Sequence, residues 1–345
     1  MSELILLTGG TGMVGFRILV EALGRGFRVR AAVRNQGGID KLRSHGLISA
    51  FQDQLEFVIV PDITIDGAYD EAVKGVHAVL HVASPLPKPG ITDYQSQVIG
   101  PAVNGTVGML KSASKETAIR RIVITASIGS IVPAEKLSTG DSDVVYNEES
   151  VCPPPKGALS NPLDAYLASK VVAFQAVKEF VATEKPAYDV VNILPGYIVG
   201  RNDLVTNAEG ILQGTNRLAF GQILGQPSPQ ALPSTSAYLN DVALAHVLSL
   251  DPSIAGNQDF VISSDGLQGT TWGDAIDIVQ NHYSQDIIKA AGFKLDAGRT
   301  PTVRVSIDTS HSQRTLGFEF KSYKDQILSL SDFYLELLKL KEANK

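Results

Sequence analysis

Short apolar runs alternate with stretches of helical spacing through the first half of this chain. The runs at residues 4–7, 27–33, 55–60, 78–82, 121–125 and 188–194 are rich in Val, Ile and Leu, as buried strands are. Between them, apolar residues recur at helical spacing over 16–23, 67–74, 92–117 and 161–184. Helices that alternate with buried strands are typical of a parallel sheet covered on both faces. The pattern therefore predicts an α/β fold with a doubly wound parallel sheet.

The pattern changes after residue 196. Residues 201–236 are rich in Gly, Gln, Asn, Pro and Ser, and only their middle is weakly helical. An amphipathic helix over 241–248, a strand over 260–263 and a helix over 323–341 follow. We therefore predict a sheet domain at 1–196 plus about 238–265, and a smaller α+β C-terminal cap at 197–237 and 266–345. Residues 133–163 contain several prolines and no periodicity, which predicts a surface excursion from the sheet domain.

Composition disfavours nucleic acid, membrane and metal as partners. The net charge is −6 without a basic cluster, whereas a nucleic-acid binder needs clustered Lys and Arg. No stretch approaches the ~20 apolar residues of a membrane helix. We expect no signal peptide, and the single cysteine, Cys152, fits a reducing compartment. His77 and His81 have a zinc spacing for a helix, but they lie in a predicted strand, where four residues span ~13 Å. We expect a cytoplasmic protein with no metal site.

A glycine-rich turn, Thr8-Gly-Gly-Thr-Gly-Met-Val-Gly15, joins the first predicted strand to the first predicted helix. Such a turn lets backbone N–H groups and a helix N-terminus converge on a phosphate. Gly9 suits the tight turn, Gly12 allows a pyrophosphate to approach, and Gly15 allows the helix to pack closely on the strand. Glycine is also common at ordinary turns, but the position at the start of a strand–helix unit favours a dinucleotide. The sheet domain is therefore predicted to be of the Rossmann type.

The end of the second strand bears on the choice between NADP(H) and NAD(H). In a dinucleotide-binding fold the residue there faces the adenosine ribose, and an acidic side chain accepts from a free 2′-hydroxyl. No acidic residue lies between Gly26 and Gln36; Arg34 stands at the strand end, and Lys41 follows. Because a cation attracts a 2′-phosphate, the sequence favours NADP(H). The alternative is an ordinary solvated arginine at a strand end.

Tyr166 and Lys170 are four residues apart in a predicted helix and so share one face. A tyrosine in water titrates near ~10, and a neighbouring ammonium lowers its pKa towards neutral pH. Such a tyrosine can protonate a carbonyl oxygen as hydride reaches the carbon, while Ser127, just past the fifth strand, orients that oxygen. Alone, the spacing also fits a buried tyrosine beside a solvated lysine. Together with the glycine loop and Ser127, it indicates a reductase site.

Taken together, the motifs resemble those of an extended short-chain dehydrogenase/reductase. They are the glycine loop, His81-Val-Ala-Ser-Pro85, Asn104-Gly-Thr106, Thr125-Ala-Ser127, Tyr166-x-x-x-Lys170, Pro195-Gly-Tyr-Ile-Val-Gly200, Asn240-Asp-Val-Ala-Leu-Ala-His246 and Leu316-Gly-Phe-Glu-Phe320. The chain looks most like the dihydroflavonol reductase branch. Within it, Pro101-Ala-Val-Asn-Gly105 and Asn147-Glu-Glu-Ser150 are similar to fungal NADPH-dependent aldehyde, methylglyoxal and ketone reductases.

At three places the sequence differs from the motifs of the dihydroflavonol reductase branch, and these differences limit the class of substrate that we expect. Ala126 replaces the first serine of the usual Thr-Ser-Ser, which leaves Ser127 intact. The asparagine of flavonoid reductases is absent from residues 131–133, and Asp164-Ala-Tyr166 does not match the Trp-Tyr-Cys of cinnamoyl-CoA reductases. Plant-type substrates are therefore disfavoured.

The resemblance implies a Ser127–Tyr166–Lys170 triad and hydride transfer from NADPH to a carbonyl. It also implies cofactor contacts at Thr8, Gly9, Gly12, Met13, Val14, Gly15, Arg34, Lys41, Asp62, Ile63, Val82, Ala83, Ser84, Pro195 and Ile198. In this assignment residues 12–14 meet the phosphates, Arg34 and Lys41 the adenosine phosphate, and residues 62–63 the adenine. Residues 82–84 run along the cofactor, and the backbone after Pro195 lies near the nicotinamide carboxamide.

We therefore expect an NADPH-dependent carbonyl reductase that converts an aldehyde or ketone to an alcohol, as a monomer or homodimer. Residues 197–238 are predicted to be a mobile wall over the carbonyl, the alternative being an ordinary surface loop. Candidate pocket residues are Pro85, Leu86, Ile128, Val132, Tyr197, Leu204 and Phe220, with Ile211 and Leu218 in the same wall. One rival is a sugar-nucleotide epimerase or dehydratase that retains NAD, which the two cations disfavour. The other is a redox-sensing regulator without turnover, which the complete Ser/Tyr/Lys set disfavours.

Overall fold

The computed structural model describes residues 3–85, 90–155, 157, 159 and 161–343, and these form two compact units. The first comprises Met1–Pro133, Ser150–Leu194 and Ala243–Phe260. The second comprises Ala134–Glu149, Pro195–Val242 and Val261–Lys345. Each unit is thus assembled from three separate stretches of sequence.

The strands are β1 (Leu4–Thr8), β2 (Arg28–Val33), β3 (Leu55–Ile59), β4 (Ala78–His81), β5 (Arg121–Thr125), β6 (Asp141–Tyr146), β7 (Asp189–Pro195), β8 (Tyr197–Val199), β9 (Leu232–Pro233), β10 (Ser236–Tyr238), β11 (Asp259–Ile262), β12 (Thr302–Val303) and β13 (Val305–Ile307). The helices are α1 (Met13–Gly24), α2 (Gln36–Arg43), α3 (Gly100–Ala113), α4 (Ala134–Thr139), α5 (Pro162–Glu184), α6 (Asn216–Phe220), α7 (Leu239–Leu248), α8 (Asp274–His282), α9 (Gln285–Ala291), α10 (Ser310–Leu316) and α11 (Tyr323–Ala343). Short 3-10 turns occupy Gly46–Gln54, Ile128–Ser130, Ala208–Leu212, Gly221–Leu224 and Gly266–Gln268, and a π-helical turn at Gln95–Ile99 leads into α3.

A seven-stranded sheet in the order β11-β7-β5-β4-β1-β2-β3 forms the centre of the first unit. From β7 to β3 every neighbouring pair is parallel. Leu6, Val79 and Ile122 face one core together with residues of α3 and α5. The alternate residues of β1 are buried on the opposite face, where α1 contacts β1 and β2. The predicted doubly wound Rossmann sheet is confirmed, and its apolar strands follow from burial on both faces.

The second unit is a smaller α+β structure. Its strands form two-stranded parallel pairs, β8 with β10, β9 with β12 and β6 with β13. Its core includes Trp272, Phe220 and Ile327, all fully buried. The indole N–H of Trp272 donates to the carbonyl of Pro233 (2.8 Å), so the large side chain is buried without losing its hydrogen bond.

Three segments differ from the sequence prediction. Residues 134–149 belong to the second unit, because β6 pairs with β13 there, and are not an excursion from the sheet domain. Residues 67–74 form successive turns and not a helix, and Gly67 and Gly75 bracket them with φ of +72° and +69°. Helix α7 is buried on nearly every side, with Asn240 its exposed residue, and is therefore not amphipathic. Within the described ranges, no helix combines the length and apolar composition that crossing a membrane requires.

Candidate active site

Three parallel strands of the first unit end at one edge of the sheet. β1 ends at Thr8, β4 at His81 and β5 at Thr125, and Thr8 is in register with His81. The glycine loop and the segment 82–85 follow β1 and β4 directly, and Ser127 lies two residues after the end of β5. Open α/β sheets bind their ligands beyond the carboxyl ends of the strands. The glycine loop, the segment 82–85 and Ser127 therefore lie at the carboxyl-end edge of the sheet, where a ligand is expected.

The glycine loop has backbone geometry that excludes a side chain at two positions. Gly9 has φ of +78°, and a Cβ there would lie 2.9 Å from the backbone nitrogen of Ala83. A Cβ on Gly15 would lie 2.2 Å from the Gly9 carbonyl oxygen, because the first turn of α1 packs directly on the loop. No described side chain caps α1 at Gly12, so the N–H groups of its first turn, at residues 13–14, stay available to an anion.

Thr8 ties the glycine loop to the segment after β4. Its Oγ1 accepts hydrogen bonds from the backbone N–H groups of Val82 and Ala83, both at 3.0 Å, and lies 3.1 Å from His81 Nδ1. Val82, Ala83 and Ser84 are each half-buried. The segment predicted to run along the cofactor is thus fixed to the loop predicted to hold its phosphates.

Of the two predicted cations, Lys41 contacts the glycine loop and Arg34 follows the end of β2. Arg34 is exposed immediately after β2. Lys41, on α2, donates from Nζ to the carbonyl oxygen of Thr11 in the loop (3.2 Å). A 2′-phosphate bound at the end of β2 would therefore meet two positive groups.

Asp62 and Ile63, the predicted neighbours of adenine, follow β3. The Asp62 Oδ1 accepts from the N–H (2.9 Å) and the hydroxyl (2.7 Å) of Thr64. These two hydrogen bonds, and to a smaller extent the charge of Arg34, lower the pKa of Asp62. Ile63 packs on α3, where a Cβ on Gly105 would come within 3.3 Å of its Cδ1.

Ser127 begins the turn that follows β5. Its Oγ accepts from the N–H of Gly129 (3.1 Å), which leaves the hydroxyl proton to donate. The turn lies against α5, because Ser130 Oγ donates to the Lys170 carbonyl (3.1 Å). A Cβ on Gly129 would lie 2.7 Å from Leu167 Cδ2. These contacts hold the Ser127 turn against the part of α5 that carries the predicted acid.

Tyr166 and Lys170 lie one turn apart near the start of α5, which Asn161 caps through its side-chain oxygen. The Lys170 Nζ is 5.7 Å from the centre of the Tyr166 ring. It also lies 3.5 Å from the carbonyl oxygen of Thr125, the last residue of β5. The structure thus brings the lysine to both the tyrosine and the strand end that precedes Ser127.

Removal from water lowers the pKa of Lys170 from 10.5 to about 8. Because this value remains above neutral pH, the ammonium is still the main form at pH 7. A cation in a poorly hydrated site interacts more strongly with a neighbouring negative charge than it would in water. Lys170 can therefore stabilise a phenolate at Tyr166 when that residue gives up its proton.

The remaining predicted cofactor residues, Pro195 and Ile198, belong to the second unit. Pro195 is buried at the end of β7, and Ile198 is half-buried in β8. The carbonyl of Ile198 accepts from the hydroxyl of Thr215. Tyr197, a predicted pocket residue, packs edge-on against Trp272, with ring centres 5.9 Å apart, and burial raises its pKa.

The other predicted pocket residues fall into different environments. In the first unit, Ile128 and Val132 are buried and Pro85 is half-buried; Leu86 lies outside the described residues. In the second unit, Leu204 and Leu218 are half-buried.

Phe220 and Ile211 require a correction, because they lie in the core of the second unit and not on a mobile wall. The Phe220 ring contacts those of Phe293 and Tyr334, at 6.1 and 5.4 Å between centres. Burial of an apolar side chain in such a cluster removes more of its surface from water, and so stabilises the fold more, than a position on the wall of a solvent-facing pocket would.

Two contributors to this edge were missed from the sequence. Gly129 allows the Ser127 turn to approach α5, and its position two residues after Ser127 was the available signal. His81, weighed above as a metal ligand and placed at the start of a family motif without a role, is buried against Thr8. No grouping of three or more His, Cys, Asp or Glu side chains suited to a metal occurs in the part of the chain that the structure describes.

The sheet and the residues at its edge define a Rossmann-fold protein of the short-chain dehydrogenase/reductase type. The chain belongs to the NAD dependent epimerase/dehydratase family, whose model matches residues 5–263. This confirms the predicted extended short-chain dehydrogenase/reductase.

Two of the similar proteins are ketoreductases by name, and a third is a solved reductase structure. Ketoreductase CTB6 of Cercospora beticola is 34% identical over 97% of this chain and 96% of its own length. Ketoreductase sphI of Aspergillus fumigatus is 31% identical over 96% of this chain and 98% of its own length. The solved structure of yeast methylglyoxal/isovaleraldehyde reductase Gre2 complexed with NADPH superposes with a TM-score of 0.78 at 22% identity, covering 97% of this chain and 99% of that one. The chain is accordingly grouped with the oxidoreductases of this family.

Proposed function

We propose that the chain is an NADPH-dependent carbonyl reductase that converts an aldehyde or ketone to an alcohol. The observation that carries the proposal is the packing of the Ser127 turn on the part of α5 that bears Tyr166 and Lys170. The names of the relatives, two ketoreductases and a methylglyoxal/isovaleraldehyde reductase, support the same reaction.

The residues of the first unit fit a nicotinamide dinucleotide. The glycine loop leaves room that a Cβ would fill, and the first N–H groups of α1 suit the pyrophosphate. Arg34 and Lys41 would hold the 2′-phosphate that distinguishes NADPH from NADH. When bound, this cofactor supplies the hydride.

The protein's own contribution is to orient the carbonyl and deliver a proton. The hydroxyl of Ser127, whose oxygen is already engaged by Gly129, would donate a hydrogen bond to the carbonyl oxygen. Tyr166 would give that oxygen the proton held on its Oη, which leaves a phenolate. Lys170 would stabilise this phenolate, and it has further donors for the ribose hydroxyls of the cofactor.

The test is a comparison of Tyr166→Phe with wild type and with Tyr283→Phe, a hydroxyl deletion in the second unit. NADPH consumption is followed against a panel of aldehydes, α-ketoesters and aryl ketones. We expect Tyr166→Phe to lose ~10²–10⁴-fold in turnover, as removal of a positioned general acid does. NADPH binding should survive, and Tyr283→Phe should behave as wild type.

Retention of more than about a tenth of wild-type turnover by Tyr166→Phe would contradict the assignment. A nucleotide sugar added to this panel also separates the rival functions. An epimerase or dehydratase would convert a nucleotide sugar without net NADPH consumption, and a regulator would bind NADPH and oxidise none of it.

A further inference from the structure

A small cavity lies behind Lys170 in the first unit. Residues of α3 and α5 and of the strand ends line it, among them His81, Ile124, Lys170 and Asn192. It has about 20 Å³ of space for the centre of a water molecule, which is room for about one or two waters. The cavity is therefore large enough to hold water and is bordered by the proposed catalytic lysine.

His81 presents a hydrogen-bond donor that lacks a protein partner. The Thr8 Oγ1 already accepts from the N–H groups of Val82 and Ala83, so its own proton must point to His81 Nδ1. A neutral imidazole that accepts at Nδ1 carries its proton on Nε2. His81 is 2% exposed, and its Nε2 has no hydrogen-bond partner among the described residues.

Asn192 presents an acceptor that lacks a protein partner. Its Nδ2 donates to Asp259 Oδ1 (2.8 Å), and a carboxylate only accepts, so the orientation of the amide is fixed. Asn192 is 2% exposed, and within the described part of the chain its Oδ1 has no partner. A buried polar atom left in this state is costly unless water satisfies it.

The two atoms lie on one face of the sheet. Ile124 is in register with His81 on one side and with Asn192 on the other, so all three side chains point the same way, towards α3 and α5. Lys170 reaches the same space from α5. The residues that carry this donor, this acceptor and the ammonium thus line one cavity.

We propose that this cavity is a water site that holds the Lys170 ammonium in place. The water accepts hydrogen bonds from Lys170 Nζ and His81 Nε2 and donates to Asn192 Oδ1, through a second water where one does not span the gap. His81 donates to one lone pair of the water and Asn192 accepts one of its protons, so a second lone pair is left for Lys170 Nζ, and the hydrogen bond it accepts is stronger from an ammonium than from a neutral amine. The water therefore favours the charged lysine over the neutral amine. This inference rests on the proposed function and makes His81 and Asn192 positioning residues.

Few other titrating groups are near Lys170. Of the residues that line the cavity, His81 and Lys170 alone titrate at accessible pH, and burial, with the charge of Lys170, lowers the pKa of His81 to about 4. Tyr166 lies beside the lysine on the same helix, and the paired Asp259 and Lys178 lie behind Asn192. His81 therefore stays neutral over the pH range in which the lysine titrates.

The test measures the alkaline limb of kcat against pH for NADPH-dependent reduction. The limb considered is the one that reports loss of the Lys170 proton, without which the Tyr166 phenolate is not stabilised. Asn192→Leu removes the acceptor, so Lys170 loses its proton more easily, and this limb should move to lower pH by about one unit. His81→Phe keeps a ring but removes the donor that orients the water, and it should move the limb the same way by about half a unit. Tyr69→Phe is the control, because Tyr69 packs edge-on against His81 but does not line the cavity. It should keep the wild-type limb.

Two further measurements do not depend on turnover. A high-resolution crystal structure should show ordered water within about 3.2 Å of Asn192 Oδ1. Nitrogen NMR of His81 should show the proton on Nε2 down to about pH 5. A dry cavity, a proton on Nδ1, or equal limbs for active Asn192→Leu, His81→Phe and wild type would overturn the inference. If wild type reduces no carbonyl, the proposed function fails, and the crystal and NMR measurements still decide whether the water site exists.

Discussion

Replacing the proposed catalytic lysine should make the first unit more stable. Lys170 keeps an ammonium in a poorly hydrated place, and Met has a similar length and no charge. We therefore expect Lys170→Met to raise the free energy of unfolding at pH 7 while it abolishes most reductase activity. Active-site residues that are poorly solvated commonly have this opposite effect on stability and on function.

The size of the gain follows from the pKa of Lys170. Folding lowers that pKa from 10.5 to about 8, and each unit corresponds to ~1.4 kcal/mol. The folded state thus carries a penalty of up to about 3 kcal/mol at all pH values below the folded pKa. The residue is half-buried, so solvent screens part of this penalty, and we expect a gain of about 1–2 kcal/mol. Between pH 8 and 10.5 the unfolded chain holds the proton that the folded chain has lost. The penalty therefore fades as pH rises, and the advantage of Lys170→Met should disappear near pH 10.5.

The assay must measure the stability of the first unit, which contains Lys170. The single tryptophan, Trp272, lies in the second unit, so its fluorescence follows the wrong part of the chain. Hydrogen exchange of the α5 amides, measured by mass spectrometry at pH 7 and 10 without cofactor, reports the unit that contains Lys170. Lys111→Met, at an exposed position of α3, is the matched control and should change stability by less than about 0.5 kcal/mol at either pH. A Lys170→Met protein that is no more stable than wild type at pH 7, or whose gain is undiminished at pH 10, would refute the reasoning.

Three further predictions concern the cofactor and the substrate. Arg34→Ala should weaken NADPH binding by ~10- to 100-fold, the loss of one hydrogen bond to a charged group, and leave NADH binding nearly unchanged; equal wild-type affinity for the two nucleotides would contradict this. Gly15→Ala should abolish binding of both, because the new Cβ would lie 2.2 Å from the Gly9 carbonyl oxygen, whereas Gly108→Ala in α3 has free space around it and should be harmless. Leu204→Ala should re-rank a ketone panel by ~1–3 kcal/mol in relative kcat/KM without changing NADPH affinity; an unchanged ranking would place Leu204 outside the pocket.

The sequence predicted those parts of the protein that depend on neighbouring residues. The strand at 121–125 and the start of the helix at 161 follow from local apolar runs and from the Asn161 cap, and both lie where the structure has them. The spacing of Tyr166 and Lys170 fixes their common face because one helix carries both. The glycine pattern at residues 8–15 predicts the turn between β1 and α1 because the residues that form this turn are neighbours in sequence.

The parts that the sequence did not predict depend on residues far apart in the chain. Nothing in Asp141–Tyr146 indicates pairing with a strand near residue 305, so the segment was assigned to the wrong unit. Phe220 was predicted to line a pocket because it is apolar and lies in the segment after β7. Its burial depends on contacts with Phe293 and Tyr334, which are distant in sequence. The unpartnered atoms of His81 and Asn192 depend on the register of β4, β5 and β7, which no single run of residues encodes.

The pairing of β6 with β13 has a consequence for synthesis of the chain. β6 leaves the ribosome about 160 residues before β13 does, a delay of about 8–30 s at ~5–20 residues per second. During that time Val144 and Val145, which remain 45% and 52% exposed even in the finished fold, belong to a strand with no partner. The last residue of the first unit is Phe260 and the last strand of its sheet ends at Ile262, so both are synthesised before β13. A chain that ends before β13 therefore contains every residue of the first unit together with an unpaired β6, and such an exposed strand is a substrate for chaperones and proteases.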